Sequence, residues 1–368
     1  MQKNRDITID VVRGLAMITV VMGHSGFPYT DMIYLFHMPL FFIISGYLSA
    51  PECQFSTKKE FGTKLWRRFK RLYIPYVFYT VLFTLLNNWF LNIGLYATAD
   101  QVATLGIPHV STPSYYMSSA ELFGGVVKAF FVMGGAKMSG ALWFLRLMLF
   151  ASVLFEIERF VFRQYNNQLY ILSGINLILF CVGVFLSKKE VHFANLEGIF
   201  TILLFYNLGQ WFNIILGRAK HKLNWQILLV AIAIALVLLF YLTRIEHVNI
   251  GLNEFNNGIT LLISSILGLA LIYSISNLIV SYVQPLSSLI SLIGKNTITI
   301  LGVHFLAFKL VTIIVIAIHQ DPIQYLASYP VLDGNWWLAY VIFGVLVPLG
   351  IGLLYEKYLK PYKPFRRL

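Results

Sequence analysis

Apolar runs of about 18 or more residues recur from one end of this chain to the other, broken by short polar or basic segments, and each is long enough to cross a bilayer as a helix. About ten such spans are predicted by that length. They run Ile7 to Phe27, Met32 to Ser49, Tyr73 to Leu95, Leu142 to Phe162 and Leu169 to Leu186, then Leu196 to Leu216, Trp225 to Thr243, Asn257 to Val280, Thr297 to Ile318 and Asn335 to Tyr355. Barrel strands would be shorter and would alternate. The pattern predicts an all-α, polytopic membrane protein.

Polar residues inside the first two runs change that picture. Asp10, Arg13 and His24 interrupt the first run, and His37 lies in the second. Arg13 and His24 are 11 positions apart, which at 3.6 residues per turn puts them on nearly one face, about 16 Å apart along the axis. Asp10 is one turn before Arg13, at the i, i+3 spacing of an ion pair. A charge at bilayer depth costs at least ~2.5 kcal/mol, so this stripe is expected to face the bundle interior or a water-filled cavity. His24 and His37 are expected close together, because the connection "SGFPYTD" is short. Pro39 frees a backbone carbonyl one turn back, and Ser45 with Gly46 allows close helix approach. Each feature has a plainer reading: a structural Asp10–Arg13 pair near the inner interface, a solvated turn histidine at 24, and helix packing at Ser45–Gly46.

Composition agrees with the pattern. Of 368 residues 58% are hydrophobic and 12% charged, against roughly 25% charged in soluble domains. Lys3 and Arg5 precede the first run as they would in a signal peptide, but Asp10 and Arg13 break its core, so it is expected to be retained. With the amino terminus in the cytoplasm, roughly 20 of the 28 Lys and Arg fall on cytoplasmic segments. Both termini are expected there. The net charge of +12 is then largely topological and gives no reason to invoke nucleic acid, although basic faces favour anionic membrane lipids. The densest cluster, "KKEFGTKLWRRFKR", is assigned to a basic cytoplasmic loop over residues 50–72, and an outside loop to residues 96–140. That outside loop carries an amphipathic stretch from Glu121 to Met133 and is expected to act as a lid or re-entrant element. Cys53 and Cys181 fall in different environments and are not expected to pair. No metal-ligand spacing and no phosphate-cradling glycine loop is present, and no metal is expected.

The motifs resemble one family over most of the chain. "RGLAMITVVMGH" and "FHMPLFFIISGYL" are similar to the first two signatures of the acyltransferase-3 membrane family. "RRFKRLYIPY", with Arg68, Arg71 and Pro75, "LWFLRLML", with Trp143 and Phe144, and "LIGKNTITILGVHF", with Gly294, Asn296 and His304, resemble later ones in the same order. Thr297 stands where the last motif often has serine. In length and style the chain resembles the fucose 4-O-acetylase-like subgroup, a single membrane acyltransferase unit over residues 1–368.

The resemblance implies acetyl-CoA as a cytoplasmic donor and a sugar hydroxyl of a surface polysaccharide, or of its lipid-linked precursor, as acceptor. Lys64, Arg67, Arg68 and Arg71 would meet the donor's diphosphate, since Arg holds phosphate oxygens bidentately. His24 would take the hydroxyl proton, with His37 to orient it or act as a second base. Arg13 would contact the donor arm or pair with Asp10. Donors for the oxyanion are expected from Arg13, Ser45 or His304, and Asp10, Trp143 and Arg146 complete the expected lining of the site. Arg146 and Lys309 are alternatively interfacial anchors. An exporter of polyprenol-linked sugars, or transfer of another short acyl group such as succinyl, remains open. The expected location is the cell membrane, and the oligomeric state is undetermined.

Overall fold

The computed structural model describes residues 6–49, 57–191, 196–218 and 224–359. Lys3, Arg5, Cys53, the start of the 50–72 segment and the basic tail after residue 359 lie outside the described residues. The helices are α1 (Ile7–Gly23), α2 (Thr30–Tyr34), α3 (His37–Leu48), α4 (Lys58–Leu85), α5 (Asn87–Asn92), α6 (Ala99–Leu105), α7 (Ser119–Phe130) and α8 (Trp143–Val161). They continue with α9 (Gln168–Lys188), α10 (Gly198–Arg218), α11 (Trp225–Leu242), α12 (Gly258–Tyr282), α13 (Gln284–Lys295), α14 (Thr297–His319) and α15 (Trp337–Leu354). A two-residue hairpin, Val248–Asn249 with Glu254–Phe255, is the one sheet among the described residues. The protein is an all-α polytopic membrane protein: eight helical stretches are long and apolar enough to cross a bilayer. Of the other two expected spans, α1 is a 17-residue helix and α4 a 28-residue one with a basic first half.

Three expected boundaries move, each for a local reason. Residues 58–72, assigned to a loop, are helical, because Lys, Arg, Glu and Leu are good helix formers and Thr57 caps the start by accepting the Glu60 N–H at 3.2 Å. The third span ends at Leu85 rather than Leu95, and a short α5 follows. The second span is broken at Leu35–Phe36 into α2 and α3. Pro39 sits in the first turn of α3, where its missing N–H is tolerated. The Leu35 carbonyl it leaves free lies 3.0 Å from the Ser264 hydroxyl of α12, which divides its one hydrogen between that carbonyl and the Leu261 carbonyl, also at 3.0 Å.

Contacts divide the chain into two compact units, the first made of Met1–Ala16, Asp31–Ile74 and Trp143–Ser291, the second of Met17–Thr30, Pro75–Leu142 and Leu292–Leu368. Within the first, α3 packs on α10 through small residues: a Cβ on Gly46 would overlap the Tyr206 carbonyl, and one on Gly209 the Ile43 carbonyl. Backbones meet there at a distance only glycine permits. Within the second, α14 packs on α15 and on the 3-10 turn Lys137–Leu142, with Gly344 against Phe308 and Val21. The segment between α5 and the 3-10 turn Lys137–Leu142 contains α6 and α7. Ser118 and Glu121 form a capping box at the start of α7, and the charge-assisted bonds from Ser118 hold the Glu121 carboxyl below its usual range. Phe123, Phe130 and Phe131 of this segment are exposed.

Candidate functional site

The second unit assembles a histidine pair from distant parts of the sequence. His24 follows the last residue of α1 and is half-buried, whereas His304 lies mid-α14 and is fully buried. Their rings stack at 5.5 Å between centroids, 26° from parallel. Phe305 wedges beside both, 5.0 Å from His24 and 4.1 Å from His304. His304 Nδ1 lies 3.1 Å from the Ile300 carbonyl and 3.0 Å from that of Leu301. Carbonyls only accept, so they fix the tautomer with hydrogen on Nδ1 and a lone pair on Nε2. That Nε2 is buried and makes no hydrogen bond among the described residues. Among the described residues neither ring forms an ion pair with a carboxylate. The pair is therefore an imidazole site with an open acceptor atom.

Aromatic contacts continue outward from it. Phe305 meets Tyr329 at 5.0 Å. The Tyr329 hydroxyl donates to the Lys137 carbonyl at 2.8 Å, and the Lys137 ammonium sits 5.2 Å from the Tyr329 ring. Lys309, for which an interfacial anchor was the alternative, is buried within the second unit. Its side chain is 3% exposed, and its ammonium donates to the carbonyls of Leu326, at 2.8 Å, and Ser328. It pins the segment after α14 to the helix itself.

The first unit holds the remaining candidates. Asp10 and Arg13 form the expected i, i+3 pair at 3.8 Å. His37 is buried, stacked on Tyr34 at 5.1 Å, with Nδ1 2.9 Å from the Ile33 carbonyl. Its ring is thus oriented by α2, the short helix before its own. Arg68 donates to Glu156 at 2.6 Å and to Ser49 at 2.7 Å. Arg159 reaches the same carboxylate at 3.3 Å and donates to the Ser49 carbonyl, and Lys64 lies 3.8 Å from it. Arg67 and Arg71 are exposed on α4. Ser45 lies beside the buried Tyr206, whose hydroxyl donates to the Met148 carbonyl at 3.4 Å and whose ring lies under Arg68 at 5.8 Å. Trp143 packs against Gly251, and Arg146 keeps a buried Nε with no hydrogen bond among the described groups.

Sequence reasoning missed Glu156, Arg159, Tyr206, Phe305, Lys137 and Tyr329. Only Glu156 and Arg159 left a signal, the i, i+3 spacing inside "FEIERF".

The profile of a family described as an acyltransferase domain matches residues 6–356. Two curated relatives match a shorter stretch: nodulation protein NolL of Sinorhizobium fredii (strain NBRC 101917 / NGR234) is 39% identical over 92 residues, and nodulation protein NolL of Mesorhizobium japonicum (strain LMG 29417 / CECT 9101 / MAFF 303099) 35% over 96. Each match covers 22% of this chain, and 24% and 25% of the respective relatives. No solved structure matches.

Proposed function

The chain belongs to this acyltransferase family, and from that premise we propose that it is a membrane O-acetyltransferase. It takes acetyl from cytoplasmic acetyl-CoA and gives it to a sugar hydroxyl of a surface polysaccharide or of that polymer's lipid-linked precursor. The observation that carries the reading is the stacked His24–His304 pair, with a buried imidazole lone pair that no carboxylate among the described residues claims, in a chain of acyltransferase type.

The chemistry asks for few parts. A sugar hydroxyl attacks the thioester carbonyl as His24 takes its proton; the C–S bond then breaks, and the proton passes to the departing thiolate. His304, a neutral acceptor at Nε2, supplies the second lone pair beside His24, and in that tautomer it does not serve as the oxyanion donor. Exposed Arg67 and Arg71 suit the diphosphate of coenzyme A, while Arg68 is tied to Glu156 and acts as their support.

The test is transfer of labelled acetyl from coenzyme A to envelope glycan by purified protein in liposomes, with wild type and His24→Ala compared. Label in the glycan with wild type alone supports the reading. Equal transfer by the variant removes His24 from the chemistry. Absence of transfer by wild type, with no donor binding, favours an exporter of polyprenol-linked sugars.

A further inference from the structure

Beyond the histidine pair, the second unit contains an open cleft of about 630 Å³, lined by Gly26, His109, Ser111, Tyr329, Leu332 and Gly334 among others. Small-molecule sites run from about 300 to 1,000 Å³. We propose that this cleft is the saccharide seat of the enzyme, the place where the acceptor's sugar rings rest while one hydroxyl is acetylated. The proposal rests on the acetyltransferase reading for its acceptor class and on the cleft's own construction for its location.

The construction is that of a preformed site. Its floor is a glycine pair: a Cβ on Gly26 would come within 2.6 Å of the Gly334 Cα, so the two strands of chain touch without side chains and leave room above them. Gly26 has a φ of +82°, a conformation open to glycine. It is two residues after His24, so the floor continues directly from the residue proposed as base.

The two walls are tied together and to the helices behind. Tyr329 donates its N–H to the His109 carbonyl at 3.2 Å, and Val110 forms a parallel bridge with Tyr329. The Tyr329 wall is fixed at three further points: Lys309 on the carbonyls of Leu326 and Ser328, the Tyr329 hydroxyl on Lys137, and the Tyr340 hydroxyl accepting the Leu332 N–H at 3.2 Å. A buried lysine with no carboxylate partner among the described residues is a costly way to hold a loop, and its position directly behind this wall gives it a reason. His109 holds a positive φ of 58°, strain of the kind retained where a loop must present a group.

The polar groups left facing the cleft suit a polyhydroxylated ligand. Tyr329 lines it with a ring already braced by Phe305 and by the Lys137 ammonium. Exposed His109 and Ser111 offer an imidazole and a hydroxyl that both donate and accept. No carboxylate lines the cleft and Lys137 lies beside its Tyr329 wall, so uronic or otherwise anionic sugars are also admitted. The Tyr329 wall reaches the histidine pair through a single ring, Phe305, which touches Tyr329, His24 and His304.

The experiment places a reporter in the cleft and reads binding apart from catalysis. In a Cys53→Ser, Cys181→Ser background, Ser111→Cys is labelled with a soluble maleimide in nanodiscs, with and without oligosaccharides released from the envelope glycan of the producing cell. The same preparations are assayed for acetyl transfer to those oligosaccharides. A bound ligand loses some 70–90% of its surface in such a site, so labelling is expected to slow about threefold or more at saturation. Slowed labelling together with transfer supports both proposals. Transfer with unchanged labelling overturns the cleft and leaves the acetyltransferase standing. Slowed labelling without transfer keeps a saccharide site and removes the enzyme reading, and neither effect overturns both. Should the cysteine variant fold poorly, His109→Ala in the natural chain decides: the acceptor KM is expected to rise about tenfold, with the donor KM unmoved, and an unchanged acceptor KM overturns the cleft.

Discussion

Glu156 and His304 are both buried polar side chains on long helices, and their surroundings are opposite. Glu156 is shared by Arg68, Arg159 and Lys64, and Ser49 takes up further hydrogen bonds from the two arginines. His304 has one nitrogen turned to helix carbonyls and the other without a hydrogen bond among the described residues, beside a second imidazole. A buried group whose bonds are all answered holds a fold together. One left with an open lone pair costs stability and is available to a ligand. The comparison assigns structure to the first cluster and chemistry to the second, and each assignment can be broken.

The largest expected effect is on activity. His24→Ala should lower transfer by about 10²- to 10⁴-fold, the usual contribution of a general base, while thermal unfolding in detergent stays within a few degrees of wild type. A large loss of thermal stability would place His24 among the structural groups and remove the contrast.

Glu156→Gln should show the reverse. Removing the shared charge leaves Arg159, 2% exposed, buried without its counterion, which costs about 3–5 kcal/mol and is read as a fall in unfolding midpoint. Adding Arg159→Met should recover part of that loss, because the uncompensated cation leaves with it. If Glu156→Gln unfolds like wild type, the cluster is not what holds this unit.

His304→Phe separates the two kinds of group in one substitution. Replacing an imidazole that has an unmade bond by an apolar ring of similar shape should change stability by no more than about 1 kcal/mol, in either direction. Transfer should still fall tenfold or more, about 1.4 kcal/mol of barrier. Destabilisation with activity retained would reverse the assignment.

How far the sequence reached follows the same line. The helices were legible because a span announces itself locally, in length and apolarity, and the Asp10–Arg13 pair because it is one turn of one helix. His24 and His304 were each legible as polar groups in apolar runs, but their contact joins the first helix to a late one, and no local pattern encodes it. Glu156 lay unread within "FEIERF", where an acid between apolar residues near a span's end looks interfacial; its partner Arg68 is 88 positions earlier. Lys309 stood open between a lining of the site and an interfacial anchor for the same reason. Its carbonyl partners lie in a loop that sequence spacing does not fold back.

The smallest effect tests whether answered bonds are what stabilise these helices. Pro39 cannot donate to the Leu35 carbonyl, and Ser264 shares its hydroxyl hydrogen between that carbonyl, across 229 positions, and the Leu261 carbonyl. Ser264→Ala should therefore cost about 1–3 kcal/mol, the penalty for a buried acceptor left without a partner, with transfer unchanged. Pro39→Ala restores a backbone N–H one turn after Leu35, so in that background Ser264→Ala should cost less, by about 1 kcal/mol. Additive losses would show that the hydroxyl stabilises by packing and that the carbonyl is satisfied some other way. A smaller loss in the double variant would identify the hydrogen bond itself as the stabilising element, the property that His304 lacks at Nε2.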